Sequence, residues 1–279
     1  MKSFTLSKAI GLAIALSFVP ATAPNHAQLL QVNVDRWLNV RSATGKVFYR
    51  NGTISRPIRV GTKLQAVGDT LRTEARSSSL LDVDTGIGFI KVAENTTLQV
   101  KQLQRVSDGG HITRLEVSRG QARLQLRPFT HRSSRLEVMT PAGVSAVRGT
   151  EFGVTAQPSG KTGVATLSGS VVTAAQGQSV VVNAGSQNLI IPGEAPQPAT
   201  PLKNDSSLRR ERLSPISDRQ VMFSGETDAV NLLFVNDRPQ NIDRNGRFEV
   251  IAQITNGQVT ATIVTPLGKQ QDYRFTRPR

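Results

Sequence analysis

Short runs in which apolar and polar residues alternate one for one, broken by glycines, fill most of this chain and leave little room for helices. Residues 80–83, 88–92, 97–100, 113–117, 122–126 and 135–138 follow this pattern most clearly. A period of two is that of a strand with one face in a core and the other toward water. Val47-Phe48-Tyr49 leads into Asn51-Gly52, a tight-turn dipeptide, and residues 152–154, 164–167, 171–172 and 180–182 extend the set. Glycines at 109, 110, 120, 143, 160, 169, 177 and 185 punctuate these runs. Beyond the N-terminal segment, no long window carries a 3.6-residue apolar period. Residues 33–191 are therefore expected to be all-β. Strands this short and this regularly interrupted fit either a solenoid-like stack or a sandwich, and periodicity alone does not choose between them.

Composition shifts once, over 192–217. That stretch is rich in proline, poor in apolar residues and carries a small charge cluster, so it reads as a linker unable to offset its ordering entropy by burial. The smaller block beyond it, 218–279, again alternates strand-like runs with turns. The turns fall at Asp243-Arg244-Asn245-Gly246, Asn256-Gly257 and Pro266-Leu267-Gly268. This spacing suggests a small immunoglobulin-like β-sandwich.

The N-terminus has the composition of an export signal. Lys2 and Lys8 precede an apolar run from Ala9 to Val19, about 11 residues against the roughly 20 that a membrane-spanning helix needs. Small residues follow, and cleavage is expected between Ala27 and Gln28, which makes 1–27 a signal peptide and the mature chain a soluble protein of the periplasm or cell surface. There are no cysteines, which excludes disulfides, thiolate metal sites and a cysteine nucleophile. The formal net charge is +14. In an exported protein this points away from nucleic acid and toward anionic wall polymers, acidic lipids or acidic proteins.

Residues 138–182 carry a recognisable pattern. Val138-Met139-Thr140-Pro141 is followed by Ala146-Val147-Arg148-Gly149-Thr150-Glu151-Phe152-Gly153-Val154, then by Val164-Ala165-Thr166-Leu167-Ser168-Gly169-Ser170-Val171 and Ala184-Gly185. Upstream lies Val67-Gly68-Asp69-Thr70-Leu71-Arg72-Thr73. Together these resemble the FecR domain, over roughly 33–191. The resemblance implies a β-solenoid or β-roll domain outside the inner membrane. In sigma-regulator members that domain relays the state of an outer-membrane receptor to a cytoplasmic anti-sigma segment. A leader in place of a cytoplasmic segment and membrane helix suggests a free-standing version. The smaller block resembles bacterial immunoglobulin-like modules through Val235-Asn236-Asp237-Arg238 and Asp243 to Phe248.

Two sets of residues are candidates for function. The family motif, Thr140, Pro141, Arg148, Gly149, Thr150 and Phe152, reads first as structure: an arginine bracing a glycine turn against carbonyls or a carboxylate such as Glu151. The second set is Arg114, Arg119, Arg123, Arg127, Arg132 and Arg135, crowded into one stretch with Glu116 as the lone acid. Period-two geometry puts Gln121, Arg123, Gln125 and Arg127 on one face, which suggests either an anion-binding ridge or a solvated edge. Asp82-Val83-Asp84-Thr85-Gly86 lacks the later ligands of a calcium loop, and His111 and His131 have no histidine partner at metal spacing. No catalytic motif, metal site or cofactor is expected. Two functions follow from this reading. One is non-enzymatic binding or scaffolding on an anionic envelope polymer or acidic protein. The other is an accessory role in FecR-type transmembrane signalling, in iron or nutrient sensing, through protein contact.

Overall fold

The computed structural model describes residues 36–276 apart from position 85; the expected signal peptide, 1–27, lies outside the described residues. All regular elements among them are strands, as the alternation predicts.

The first body is built from two sheets. In chain order its strands are β1 (Leu38–Thr44), β2 (Val47–Asn51), β3 (Ile54–Pro57), β4 (Lys63–Leu64), β5 (Thr70–Thr73), β6 (Ser78–Val83), β7 (Gly88–Val92), β8 (Thr97–Arg105) and β9 (His111–Leu126). There follow β10 (Arg135–Met139), β11 (Val144–Val147), β12 (Glu151–Ala156), β13 (Thr162–Ser168), β14 (Ser170–Ala175), β15 (Gln178–Asn183), β16 (Ser186–Ile190) and β17 (Thr200–Pro201). One sheet runs β4-β1-β6-β7-β9-β12-β13-β16-β17. The other runs β3-β2-β5-β8-β9-β10-β11-β14-β15. The chain passes back and forth between the sheets, and from β6 onward each strand pairs with an earlier strand of its sheet.

Strand β9 belongs to both sheets. Residues up to Arg119 pair with β8, and from Gly120 onward the strand pairs with β12 and, from Ala122, with β7. The inward residues of both sheets meet in one core that includes Leu38, Leu71, Leu81, Leu98, Leu124 and Phe152, all 0–1% exposed. Each such side chain contributes roughly 1.5–3 kcal/mol by leaving water.

The stretch 192–217, expected as a linker, takes part in both bodies. Strand β17 pairs with β16, and β18 (Arg209–Ser217) pairs along β19 (Gln220–Glu226). Its low apolar content has a physical reason: β18 is an edge strand, mostly exposed, where Pro215 removes no needed ladder bond. Ser206 before it is fully buried, and Asn231 donates to the Asp205 carbonyl.

The second body adds β20 (Leu232–Val235), β21 (Arg238–Gln240), β22 (Arg247–Gln253), β23 (Gln258–Val264) and β24 (Gln270–Thr276). The sheets β18-β19-β22 and β21-β20-β23-β24 share a core of Val221, Phe223, Phe248, Val259 and Ile263. Phe223 and Phe248 pack edge to face at 5.2 Å.

The two bodies form one compact unit, Asp35–Arg279. The reverse face of β20 and β23 buries Leu232, Phe234 and Val264. Glycines let the backbones meet: a Cβ on Gly153 would stand 1.8 Å from the Pro266 oxygen, and one on Gly163 2.4 Å from that of Val230. Polar side chains complete the contact. Thr155 donates to the Val230 carbonyl, Gln157 to those of Ala229 and Asn231, and Gln121 to that of Pro266.

Candidate functional site

The site starts from a defect in β9. Thr97 pairs with Arg119 but Leu98 pairs with Val117, so Ser118 is an extra residue, a bulge that bends the strand and re-aims its neighbours. Gly120 follows at φ +93°, and a Cβ there would lie 2.5 Å from the Thr96 Cα. The chain turns this corner to leave one sheet for the other, and Arg119 is held out at the bend, exposed.

Register brings two more arginines beside it. Phe48 pairs with Arg72, Arg72 with Thr97 and Thr97 with Arg119, one cross-strand row over β2, β5, β8 and β9. In the adjacent row Ser55, Arg50 and Thr70 stand side by side. These residues and Glu74 line a concavity of about 470 Å³. Arg72 reaches Glu74 at 3.3 Å, whereas Arg50 and Arg119 have no side-chain ion pair or hydrogen bond among the described residues. Guanidinium forks beside hydroxyl groups suit carboxylate or phosphate.

Asp69 ties together the strands that carry these residues. It is 2% exposed and accepts from Tyr49 Oη, Asn51 Nδ2 and the backbone N–H groups of Gln65 and Ala66. Burial alone would raise its pKa, but these donors outweigh burial and hold the carboxyl below the usual carboxylate range. Burial, together with the bond to Asp69, pushes the Tyr49 phenol up. The pair joins β2 to the turn that leads into β5.

The six arginines singled out in sequence do not form one ridge. Arg114 and Arg135 both bind Glu137. Burial would raise the Glu137 pKa, and the two guanidinium groups more than reverse it. Arg123 binds Glu151 and donates to the Leu267 carbonyl, and Gln121 on the same face is 1% exposed. The second body covers Gln121 and Arg123 and leaves Gln125 and Arg127 exposed, so half of the face that period two groups is an interface. Arg127 and Arg132 are exposed elsewhere. Arg119 alone of the six lies in the concavity. Arg50 and Arg72 escaped the sequence reading. Period two marks both as outward, since they alternate with Tyr49, Leu71 and Thr73, but only strand register places them near Arg119.

The family motif knits strands together. Arg148 donates to the His131 carbonyl at 3.2 Å, while Glu151 is held by Arg123. Gly149 has φ +116°, and a Cβ there would meet the Pro128 Cα at 2.2 Å. Thr150 Oγ1 donates to the Ser170 carbonyl, Phe152 is fully buried, and Thr140 accepts from the Thr162 hydroxyl. Pro141 is exposed and packs beside Gly160. Asp84 of the calcium-like stretch is bound by the buried Arg36, and Asp82 faces Arg41 at 3.6 Å. His111 is held below its ordinary pKa by burial and then by Arg36.

Residues 69–172 match the family described as FecR protein, a span that runs from β5 into β14 and takes in most of the residues lining the concavity. Among solved structures, two crystal structures of candidate anti-sigma factors from Parabacteroides distasonis ATCC 8503 are similar. They have 13% and 11% identity and TM-scores of 0.40 and 0.39. Each similarity covers 47% of this chain and 59% of that one, so the match takes in little more than half of the relative's length. Comparison with curated proteins returns no match.

Proposed function

We propose that this chain is a non-enzymatic, extracytoplasmic component of FecR-type transmembrane signalling that works through protein–protein contact. The observation that carries this reading is the FecR match over residues 69–172, which contains the Gly68–Thr73 stretch from Asp69 on and the Arg148-Gly149-Thr150 motif. That family resemblance implies a domain that relays a receptor's state by contact. The signal-like N-terminus supports a place outside the inner membrane, in the periplasm or at the cell surface. The strand order β18-β19-β22 facing β21-β20-β23-β24 supports an immunoglobulin-like second body, a common contact module. The alternation of segments between two sheets supports a roll-like first body.

A wall-polymer role needs an extended basic surface, and the arginines meant to supply it are dispersed, three of them on carboxylates of the same chain. Protein contact is therefore the stronger reading. It is tested by deleting the gene and profiling transcription. A narrow group of genes under one alternative sigma factor should change and be restored by complementation. Unchanged transcription with altered wall composition would overturn the proposal.

A further inference from the structure

Arg119 borders two hollows. On one side is the concavity with Arg50 and Arg72. On the other is a crevice of about 280 Å³ where the two bodies meet, lined by Ala156, Pro158, Leu232, Phe234 and Pro239, with Asn95 and Ser118 at its polar end. Asn95 stands at φ +53°, and its Nδ2 is buried with no hydrogen-bond partner. A buried amide left unpaired costs about 1–3 kcal/mol, and this one is closed to the crevice, so it marks a locally costly wall rather than a contact for a ligand.

We propose that this corner of β9 is a docking site for an extended acidic segment of a partner protein. Carboxylates of the segment lie on Arg119 and Arg50, beside Arg72 on its own Glu74, and one apolar side chain enters the crevice. Arg72 and Arg119 are two strands apart, about 10 Å, so the hollow between them is wide enough to admit one extended chain. Charge supports an acidic occupant: the chain carries +14, and Arg50 and Arg119 have no carboxylate among the described residues. The site accepts a peptide rather than a lone anion because the charged and apolar hollows adjoin at one residue. This inference rests on the protein-contact reading and specifies the partner's chemistry.

The test is fluorescence anisotropy of the chain from Gln28 onward with three labelled eight-residue probes that alternate Asp with Leu, Asp with Ser, or Lys with Leu. The Asp–Leu probe should bind, and weaken by about ten-fold when salt rises several-fold, because exposed charge pairs are screened. Arg50→Ser with Arg119→Ser should weaken it by a further factor of about ten at unchanged thermal midpoint, since both side chains are exposed. The Asp–Ser probe should bind at least several-fold less tightly and the Lys–Leu probe not at all. No binding of Asp–Leu, or equal binding by the double variant, overturns the site. Equal binding of Asp–Ser removes the crevice from it. Inorganic polyphosphate bound at these arginines, with the peptides ignored, overturns the peptide in favour of a polyanion. No signalling component enters this assay, so its failure would leave the transcriptional test of the signalling reading intact.

Discussion

Gly120 is the residue on which the corner depends. Its φ of +93° is rare for residues with a side chain, and a Cβ would press on the backbone of Thr96. Gly120→Ala is expected to cost more than about 2 kcal/mol by denaturant unfolding. Gly177→Ala, at φ +71° with nothing near the added carbon, should cost about 1–2 kcal/mol, the left-handed backbone penalty alone. Equal losses would show that crowding at the corner is not what requires glycine. Acid sensitivity also resides in single residues. Asp69 and Glu137 both have folded pKa values below their ordinary ones, so the folded state binds fewer protons than the unfolded state as each group titrates. Their contribution is present above the ordinary carboxylate pKa and is lost as pH falls through the lowered one. Asp69→Asn should flatten the acid limb of the stability curve; an unchanged limb would show that Asp69 does not supply it.

At the scale of elements, β9 decides the architecture by serving two sheets. Phe152 on β12 packs under its second half through the Leu124 pairing, and Phe152→Ala should cost about 3–5 kcal/mol, measured as a shift in denaturant midpoint. Strand content was legible because alternation reports one buried face: residues 88–92, 97–100 and 135–138 fall within β7, β8 and β10. What alternation does not report is the partner of a strand. It gave no sign that 111–126 was one strand turning a corner, since the bulge at Ser118 keeps local alternation on both sides. Nor could it reveal β18, because an exposed edge strand and a tether have the same composition. On the outer face of β9, Gln125 and Arg127 are exposed as alternation implies, whereas Gln121 and Arg123 are polar for carbonyl groups of the second body rather than for water. The concavity was legible in one residue of three, since Arg50 and Arg72 are remote from Arg119 in sequence and meet it only through the pairings of β2, β5, β8 and β9.

At the scale of the molecule, the docking of the two bodies distinguishes this structure from beads on a tether. Lys161 of the first body is 4% exposed, and its ammonium donates to the carbonyls of Ile242 and Asp243. Burial lowers its pKa from 10.5 to about 8, a shift that Asp243 opposes and Arg244 reinforces. The unfolded chain therefore holds this proton to higher pH than the folded one, so the lysine's contribution to stability rises with pH between about 8 and 10.5 and is level below. Lys161→Met should remove that rise when its pH–stability curve is compared with that of the unaltered protein; identical slopes would place the ammonium in water. Tight docking also sets the relation between crevice and concavity, and through it the surface offered to a partner. The most direct test of a contact-signalling role is therefore made in cells, with a photo-crosslinking amino acid at exposed Ser55 beside the arginines and, as a control, at exposed Gln178 on the far edge strand β15. Capture of one receptor or sigma-regulator protein from Ser55 and not from Gln178 is the predicted result. Wall fragments alone from Ser55, or the same proteins from both positions, would contradict the account.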